Sequence, residues 1–187
     1  KNKKKEMKIL NPWPGCMKRI INGNKEWKKY WDKSNNFRMF DLATINKQNI
    51  FVHGRVDDVI NIRGHRIGSE EIESTVLKIK EIYECCAISI VDDLEGHVIY
   101  LFVVSVKNNI DNKISNMIVS NFGTFALPKE IYYISELPKT RSGKILRRLL
   151  RAILTNPSSK NYGDITTILN KKVINEVKEK ILHNVKN

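Results

Sequence analysis

Two apolar runs, residues 86–91 and 98–106, constrain the fold of this chain more than any other feature. Both carry apolar side chains on alternate faces, which reads as two buried strands. Asp92-Asp93-Leu94-Glu95-Gly96 supplies the turn between them. A sheet covered on both sides needs helices, and the flanking patterns provide them. Ser69 can cap a helix whose first turn carries Glu70, Glu71 and Glu73, placed well for the helix dipole. Ile72, Val76 and Ile79 then recur at i, i+4 and i+7, one apolar stripe. A second amphipathic helix is expected over residues 111–122, with Ile114, Ile118 and Val119 inward. Residues 131–134 read as a short strand, 137–143 as a loop and 145–154 as a helix. Ahead of all this, Arg63-Gly64, flanked by Val59-Ile60-Asn61-Ile62 and the stretch around His65-Arg66-Ile67, predicts a tight hairpin with Gly64 near the turn. The order hairpin, α, β, β, α, β, loop, α describes a small α+β domain, a three-stranded sheet packed by helices.

The ends are patterned differently. Residues 1–54 read as irregular and short-stranded, with a turn-rich entry at Asn11-Pro12-Trp13-Pro14-Gly15 and a short strand at 50–53. This stretch has too few periodic apolar residues to hold a core alone, so it is expected to pack on something else. Residues 155–169 read as a polar connector, and 170–185 as a Lys-rich amphipathic helix. No internal repeat is visible.

Length allows one compact domain with extensions, or two small ones. No run of about 18 apolar residues exists to span a membrane, and the basic start leads into no secretory h-region. The chain lacks an initiator Met, so it is expected to start inside a longer protein. The net charge of +13 raises the alternative of a basic interaction or nucleic-acid-binding module. The charge is spread rather than gathered into a stripe, so specific nucleic-acid binding is not expected, although a basic groove for a polyphosphate or nucleotide fits. Cys16, Cys85 and Cys86 make an odd count. Neighbouring strand residues point to opposite faces, so the adjacent pair suits buried thiols in a reducing compartment better than a mutual disulfide. His53, His65, His97 and His183 show no ligand spacing, and no metal site is expected in this chain.

Two stretches carry chemistry. In Thr140-Arg141-Ser142-Gly143-Lys144-Ile145-Leu146-Arg147-Arg148, Gly143 permits an exposed turn and Lys144 is expected at a helix start, where unpaired N–H groups favour anions. Ile145, Leu146, Leu149, Leu150 and Ile153 would anchor that helix while Arg147, Arg148 and Arg151 stay outside. It is not a Walker A loop, because Pro138 stands where that motif needs Gly. The residues by themselves leave open a plain exposed basic loop. The other stretch runs Gly54-Arg55-Val56-Asp57-Asp58-Val59-Ile60-Asn61-Ile62-Arg63-Gly64-His65-Arg66-Ile67-Gly68-Ser69-Glu70-Glu71-Ile72-Glu73. Two acidic residues beside an Arg suit a hinge that exchanges partners, and equally a salt-bridged hairpin.

Taken in order, Gly-Arg-x-Asp-Asp, Gly-His-Arg-Ile-Gly-x-x-Glu-Ile-Glu and Pro-Lys-Thr-Arg-Ser-Gly-Lys resemble the acyl-adenylate-forming superfamily. Pro12-Trp13-Pro14-Gly15, Arg147-Arg148-Leu149-Leu150-Arg151 and Gly163-Asp164-Ile165-Thr166-Thr167 narrow the resemblance to its AMP-forming acetyl-CoA synthetase branch. The resemblance implies that residues 1–56 are the end of a larger N-terminal domain, 57–154 a mobile C-terminal lid and 155–187 an extension. It implies ligation of acetate to CoA through acetyl-AMP, with ATP and CoA as substrates and Mg2+ accompanying ATP in the full-length enzyme. Propionate or another short-chain acid is the near alternative. The partner is the N-terminal domain, the setting cytoplasmic with the nucleus as a second location, and the separated fragment is expected to be inactive.

By position, Lys144 matches the lysine that enters the site for adenylation, and it is where a deacetylase or acetyltransferase would act. Asp57 matches the hinge, Asp41 the carboxylate that grips the ribose hydroxyls, and Arg55 and Arg66 the arginines that meet nucleotide phosphates. Gly64 matches a turn that approaches the CoA pantetheine. Three departures stand out. Met39-Phe40-Asp41 replaces the usual Thr-Gly-Asp, and Arg63 stands where bacterial relatives often carry Ser. Val119-Ser120-Asn121 lacks the basic residue for the CoA 3′-phosphate, a role Arg63 is expected to take over.

Overall fold

The computed structural model describes residues 4–92, 96–159, 161–163 and 165–185. The expected turn at 93–95, Asp164 and the side chain of Asp57 lie outside the described residues. Contacts divide the chain into two units, Lys1–Val59 and Ile60–Asn187.

The first unit departs from expectation. Instead of irregular chain it holds an antiparallel sheet of β1 (Lys5–Ile9), β2 (Phe37–Asn46) and β3 (Asn49–Arg55), in that order, with the short helix α1 (Asn24–Lys29). The ten residues of β2 escape a sequence reading because nearly all are half-buried, so no clean alternation marks a face. Among the described residues Ala43 is the unit's one buried apolar side chain. Tyr30 and Phe37 stack, Trp13 and Trp31 meet Phe37 edge-on and Phe40 meets Tyr30 edge-on, while Ile45, Ile50, Phe51 and Val52 remain exposed.

In the second unit, β4 (Val59–Ile62) and β5 (His65–Gly68) form the expected hairpin. Arg63 and Gly64 both take positive φ, +47° and +83°, the type I′ geometry that matches strand twist. Helix α2 (Ser69–Val76) follows, but Ser69 does not cap it. Ser69 is its first residue, with its hydroxyl buried and unpartnered, and the Glu71 carboxylate instead accepts the Gly68 N–H at 3.0 Å. The carboxylate is the stronger acceptor for a free N–H at a positive helix end.

The main sheet joins β6 (Ile82–Asp92) and β7 (Gly96–Ser105) antiparallel, with β8 (Glu130–Tyr133) parallel to β7. Strand alternation sorts its residues between two cores. Cys85, Ala87, Leu101 and Val103 pack with Ile72, Val76 and Ile79, and with Ile114 and Ile118 of helix α3 (Asp111–Phe122). Cys86, Ile88, Phe102 and Tyr132 pack on the other face. There they meet Leu149, Leu150 and Ile153 of α4 (Arg147–Thr155) and Val173, Val177 and Ile181 of α5 (Lys172–Val185). The hairpin side chains Ile60, Ile62 and Ile67 join the first core. Each fully buried Ile, Leu or Phe contributes about 1.5–3 kcal/mol, so these two layers hold the unit together. The three cysteines are free, and burial pushes the Cys85 thiol up. No described helix is long and apolar enough to cross a membrane.

Candidate active-site loops

The lysine loop is a narrow ribbon. Lys139 and Ile145 bridge as antiparallel partners, and the Thr140 N–H donates to the Lys144 carbonyl at 2.9 Å. At the tip the Gly143 N–H donates to the Thr140 carbonyl (2.9 Å), and the Lys144 N–H reaches the Thr140 hydroxyl (3.1 Å). Gly143 takes φ +82°, the left-handed residue that lets a three-residue loop reverse the chain. A Cβ there would meet nothing within 4 Å, so conformation rather than crowding requires the glycine.

Helix α4 begins at Arg147, three residues beyond Lys144, which corrects the expected start at 145. Lys144 therefore does not sit on a helix N-terminus, and the dipole argument for an anion site there falls away. What remains is an ammonium at the tip of a hydrogen-bonded ribbon. Lys144 is exposed and, among the described residues, its side chain has no partner. Lys139 in the same loop is engaged by Glu84.

Arg147 also departs from expectation. It turns inward to a two-pronged ion pair with Glu73 of α2, one prong at 2.8 Å, with the two side chains 20% and 10% exposed. Glu73 in addition accepts the Ala87 N–H at 2.7 Å, and Arg147 donates to the Cys86 sulfur at 3.1 Å. Arg151 donates to the Ser89 carbonyl at 3.2 Å, and Arg148 stays exposed over Gly163. The pair Glu73–Arg147 was hidden in the sequence. The signal that marks it is Glu73 lying beside Ile72 and one turn from Val76 on a stripe otherwise apolar.

In the first unit the structure brings Asp41 and Arg55 together. They face each other across β2 and β3, with 3.7 Å between guanidinium and carboxylate. Phe40, where the resemblance leads one to expect Gly, keeps the left-handed backbone at φ +61°. Asp41 thus lies in a bulged strand rather than a free turn. The Arg38 and Arg55 guanidinium groups lie 4.8 and 5.9 Å from the Phe40 ring centre. Asp57 belongs to the single 3-10 turn Val56–Asp58 that links β3 to β4.

Arg63, Gly64 and Arg66 are exposed together on the β4–β5 hairpin, a different loop from that of Lys144. His65 stacks on Phe125, with ring centres 3.9 Å apart, and fixes the hairpin against the segment after α3. Arg63 lines a cleft of about 210 Å³ with His97, Phe125 and Lys129, of which Lys129 is paired with Asp92 at 2.7 Å. Gly64 has open space around it, room for a ligand chain to pass. The hairpin by itself presents two cations and open backbone suited to phosphate esters.

Known proteins match this arrangement. A family model described as the AMP-binding enzyme C-terminal domain matches residues 71–144. An acetyl-coenzyme A synthetase from Coprinopsis cinerea is 35% identical over 185 residues, covering 92% of this chain and 28% of that protein. A propionate–CoA ligase from Salmonella typhimurium is 32% identical, covering 96% of this chain and 31% of that one. The chain therefore spans less than a third of the length of the curated relatives it matches. Among solved structures, acetoacetyl-CoA synthetase from Streptomyces lividans aligns with 100% of this chain and 29% of its own, at 20% identity and TM-score 0.74. ATP-bound MatB from Rhodopseudomonas palustris aligns with 72% of this chain and 27% of its own, at 20% identity and TM-score 0.65. Fold, loop motifs and these matches agree that residues 71–144 of this chain carry the AMP-binding enzyme C-terminal domain.

Proposed function

We propose that this chain is the C-terminal part of a short-chain acyl-CoA synthetase, which joins acetate to CoA through acetyl-AMP with release of pyrophosphate from ATP. The observation that carries the reading is Lys144, exposed and, among the described residues, an unpartnered ammonium on a backbone fixed by hydrogen bonds. Acyl and phosphoryl transfer need charge neutralised where it develops, and a preorganised lysine supplies that without reorganisation. In this reading residues 1–56 belong to the larger N-terminal domain, which would cover the exposed ridge of Ile50, Phe51 and Val52. Residues 57–154 act as the lid, with Asp57 as its hinge.

The other positions take the roles their chemistry suits. Asp41, oriented by Arg55, accepts the two ribose hydroxyls. Arg55 and Arg66 meet nucleotide phosphates. Gly64 passes the pantetheine, and Arg63 holds the CoA 3′-phosphate in place of the base absent from α3. The described residues hold no group of three His, Cys, Asp or Glu able to bind a metal. They do not fit a magnesium site of their own.

Propionate is the second reading, because a propionate–CoA ligase matches this chain nearly as well as the acetyl-CoA synthetases do. Competition between the two acids in the full-length enzyme separates them. The test of the main reading is Lys144→Ala in the full-length enzyme, with the half-reactions assayed apart. Acid-dependent ATP–pyrophosphate exchange should fall by at least a hundredfold, while thioester formation from supplied acetyl-AMP persists. Survival of both steps would leave Lys144 a surface lysine and overturn the reading.

A further inference from the structure

The family domain matched in this chain stops at Lys144, yet the ribbon that carries Lys144 has a third strand from beyond it. Residues 139–141 have two margins. One pairs with the return strand through Lys139 and Ile145. The other pairs with residues 167–169, which a sequence reading leaves in a polar connector. The Arg141 N–H donates to the Thr167 carbonyl at 3.2 Å, and the Leu169 N–H donates to the Lys139 carbonyl at 2.9 Å. Thr140 and Ile168 are bridge partners between these two bonds. Ile168 is 5% exposed and enters the core of α4 and α5, beside Leu137, Leu149 and Val173. The third strand is thus nailed down by one buried side chain and holds the ribbon by backbone alone.

We propose that residues 167–169 are a positioning strap for the Lys144 loop, so that the segment beyond the family domain sets the direction in which the lysine points. The proposal rests on the reading that Lys144 acts in adenylation. A two-stranded ribbon by itself is marginal in water, and one free margin would let the tip twist. Pairing on both margins leaves only the tip, Ser142 and Gly143, outside the strands. Ile168 transmits the position of the α4–α5 core to the loop. A reacting lysine misplaced by about 1 Å can lose on the order of a hundredfold in rate, so a strap of two hydrogen bonds matters far more for chemistry than for folding.

The test uses the full-length enzyme and Leu169→Pro, which removes the N–H that bonds Lys139. The Leu169 side chain is 68% exposed, so little packing goes with it. Leu169→Ala keeps the N–H and serves as the conservative rescue. Leu169→Pro should lower the kcat of ATP–pyrophosphate exchange at least tenfold with KM for ATP little changed. Thioester formation from supplied acyl-adenylate should stay within twofold, and tryptic cleavage after Arg141 and Lys144 should rise. Equal loss in both half-reactions, or wild-type exchange with an unchanged cleavage rate, would overturn the strap. Should the proline variant fail to fold, amide exchange in the wild type decides. Protection of the Arg141 and Leu169 amides is expected, and unprotected rates refute the pairing. Lys144→Ala run alongside separates the two claims. If it spares adenylation, the role of Lys144 fails and takes the strap's purpose with it. If it abolishes adenylation while Leu169→Pro does not, the strap alone falls.

Discussion

Replacing Arg147 with Ala should destabilise the second unit severely while leaving the first untouched. The Glu73–Arg147 pair is mostly out of water, with Arg147 20% and Glu73 10% exposed. Removing one partner of such a pair strands the other charge and costs about 3–5 kcal/mol. The partial exposure of Arg147 and the bond that Glu73 keeps to Ala87 place Arg147→Ala near the lower end, about 3 kcal/mol. Glu73→Ala removes the acceptor of the Ala87 N–H as well, adding about 1–3 kcal/mol for a buried orphaned donor. The order of damage should therefore be Glu73→Ala first, Arg147→Ala second. In a chain of this size about 3 kcal/mol corresponds to roughly 6–12 °C in Tm. The sequence supplies its own control, because Trp13, Trp27 and Trp31 all fall in the first unit. Unfolding of the 187-residue chain in urea would be followed by far-UV circular dichroism for the helices and by tryptophan fluorescence for residues 1–59. The dichroism midpoint should fall and the fluorescence midpoint hold. A loss under about 1 kcal/mol for Arg147→Ala would refute the reasoning, as would strictly additive losses in the double variant.

Two further outcomes follow from burial. Tyr132 is pushed up to about 12, chiefly by desolvation. A folded value above the ordinary 10 means that its contribution to stability is complete below pH 10 and is lost as pH rises towards 12. Burial and the hydrogen bond to Asp111 raise Tyr133 further still. Tyrosinate absorbance should therefore show Tyr132 and Tyr133 ionising last and together with alkaline unfolding; early titration of all six tyrosines would contradict this. Of the three thiols, Cys85 and Cys86 are buried and Cys16 half-exposed. A disulfide reagent at pH 8 should label one thiol in the native chain and three in denaturant, and fast labelling of two or more native thiols would be inconsistent with the packing.

Much of the second unit was legible because its elements obey simple periods. Alternation at 85–88 put Cys85 and Cys86 in opposite cores, and the spacing of Ile72, Val76 and Ile79 marked the stripe of α2. The Arg63-Gly64 turn was legible because two successive positive φ values leave few choices. Three features were hidden for physical reasons. Strand β2 has no buried face to impose a period. The Ser69 cap lost to a competing carboxylate two residues on, which propensity cannot rank. The strap at 167–169 contributes one apolar side chain, Ile168, and backbone bonds, and backbone bonds leave no trace in residue identity. The loop motifs marked where chemistry belongs, but not that Lys144 stands on a ribbon rather than a helix end.

Strand β6 forms an outer margin of the main sheet, in the order β6-β7-β8. A bare margin offers N–H and C=O groups to any passing strand and invites aggregation. Here the Ala87 N–H is taken by Glu73 and the Ser89 carbonyl by Arg151, both from helices packed on the sheet. The two groups are two residues apart, so both lie in the sheet plane and point to the margin away from β7. Side chains that fasten α2 and α4 thereby occupy the sites where a foreign strand would begin to pair. Loss of Glu73 would loosen a helix and, in the same stroke, uncover a template for sticking together.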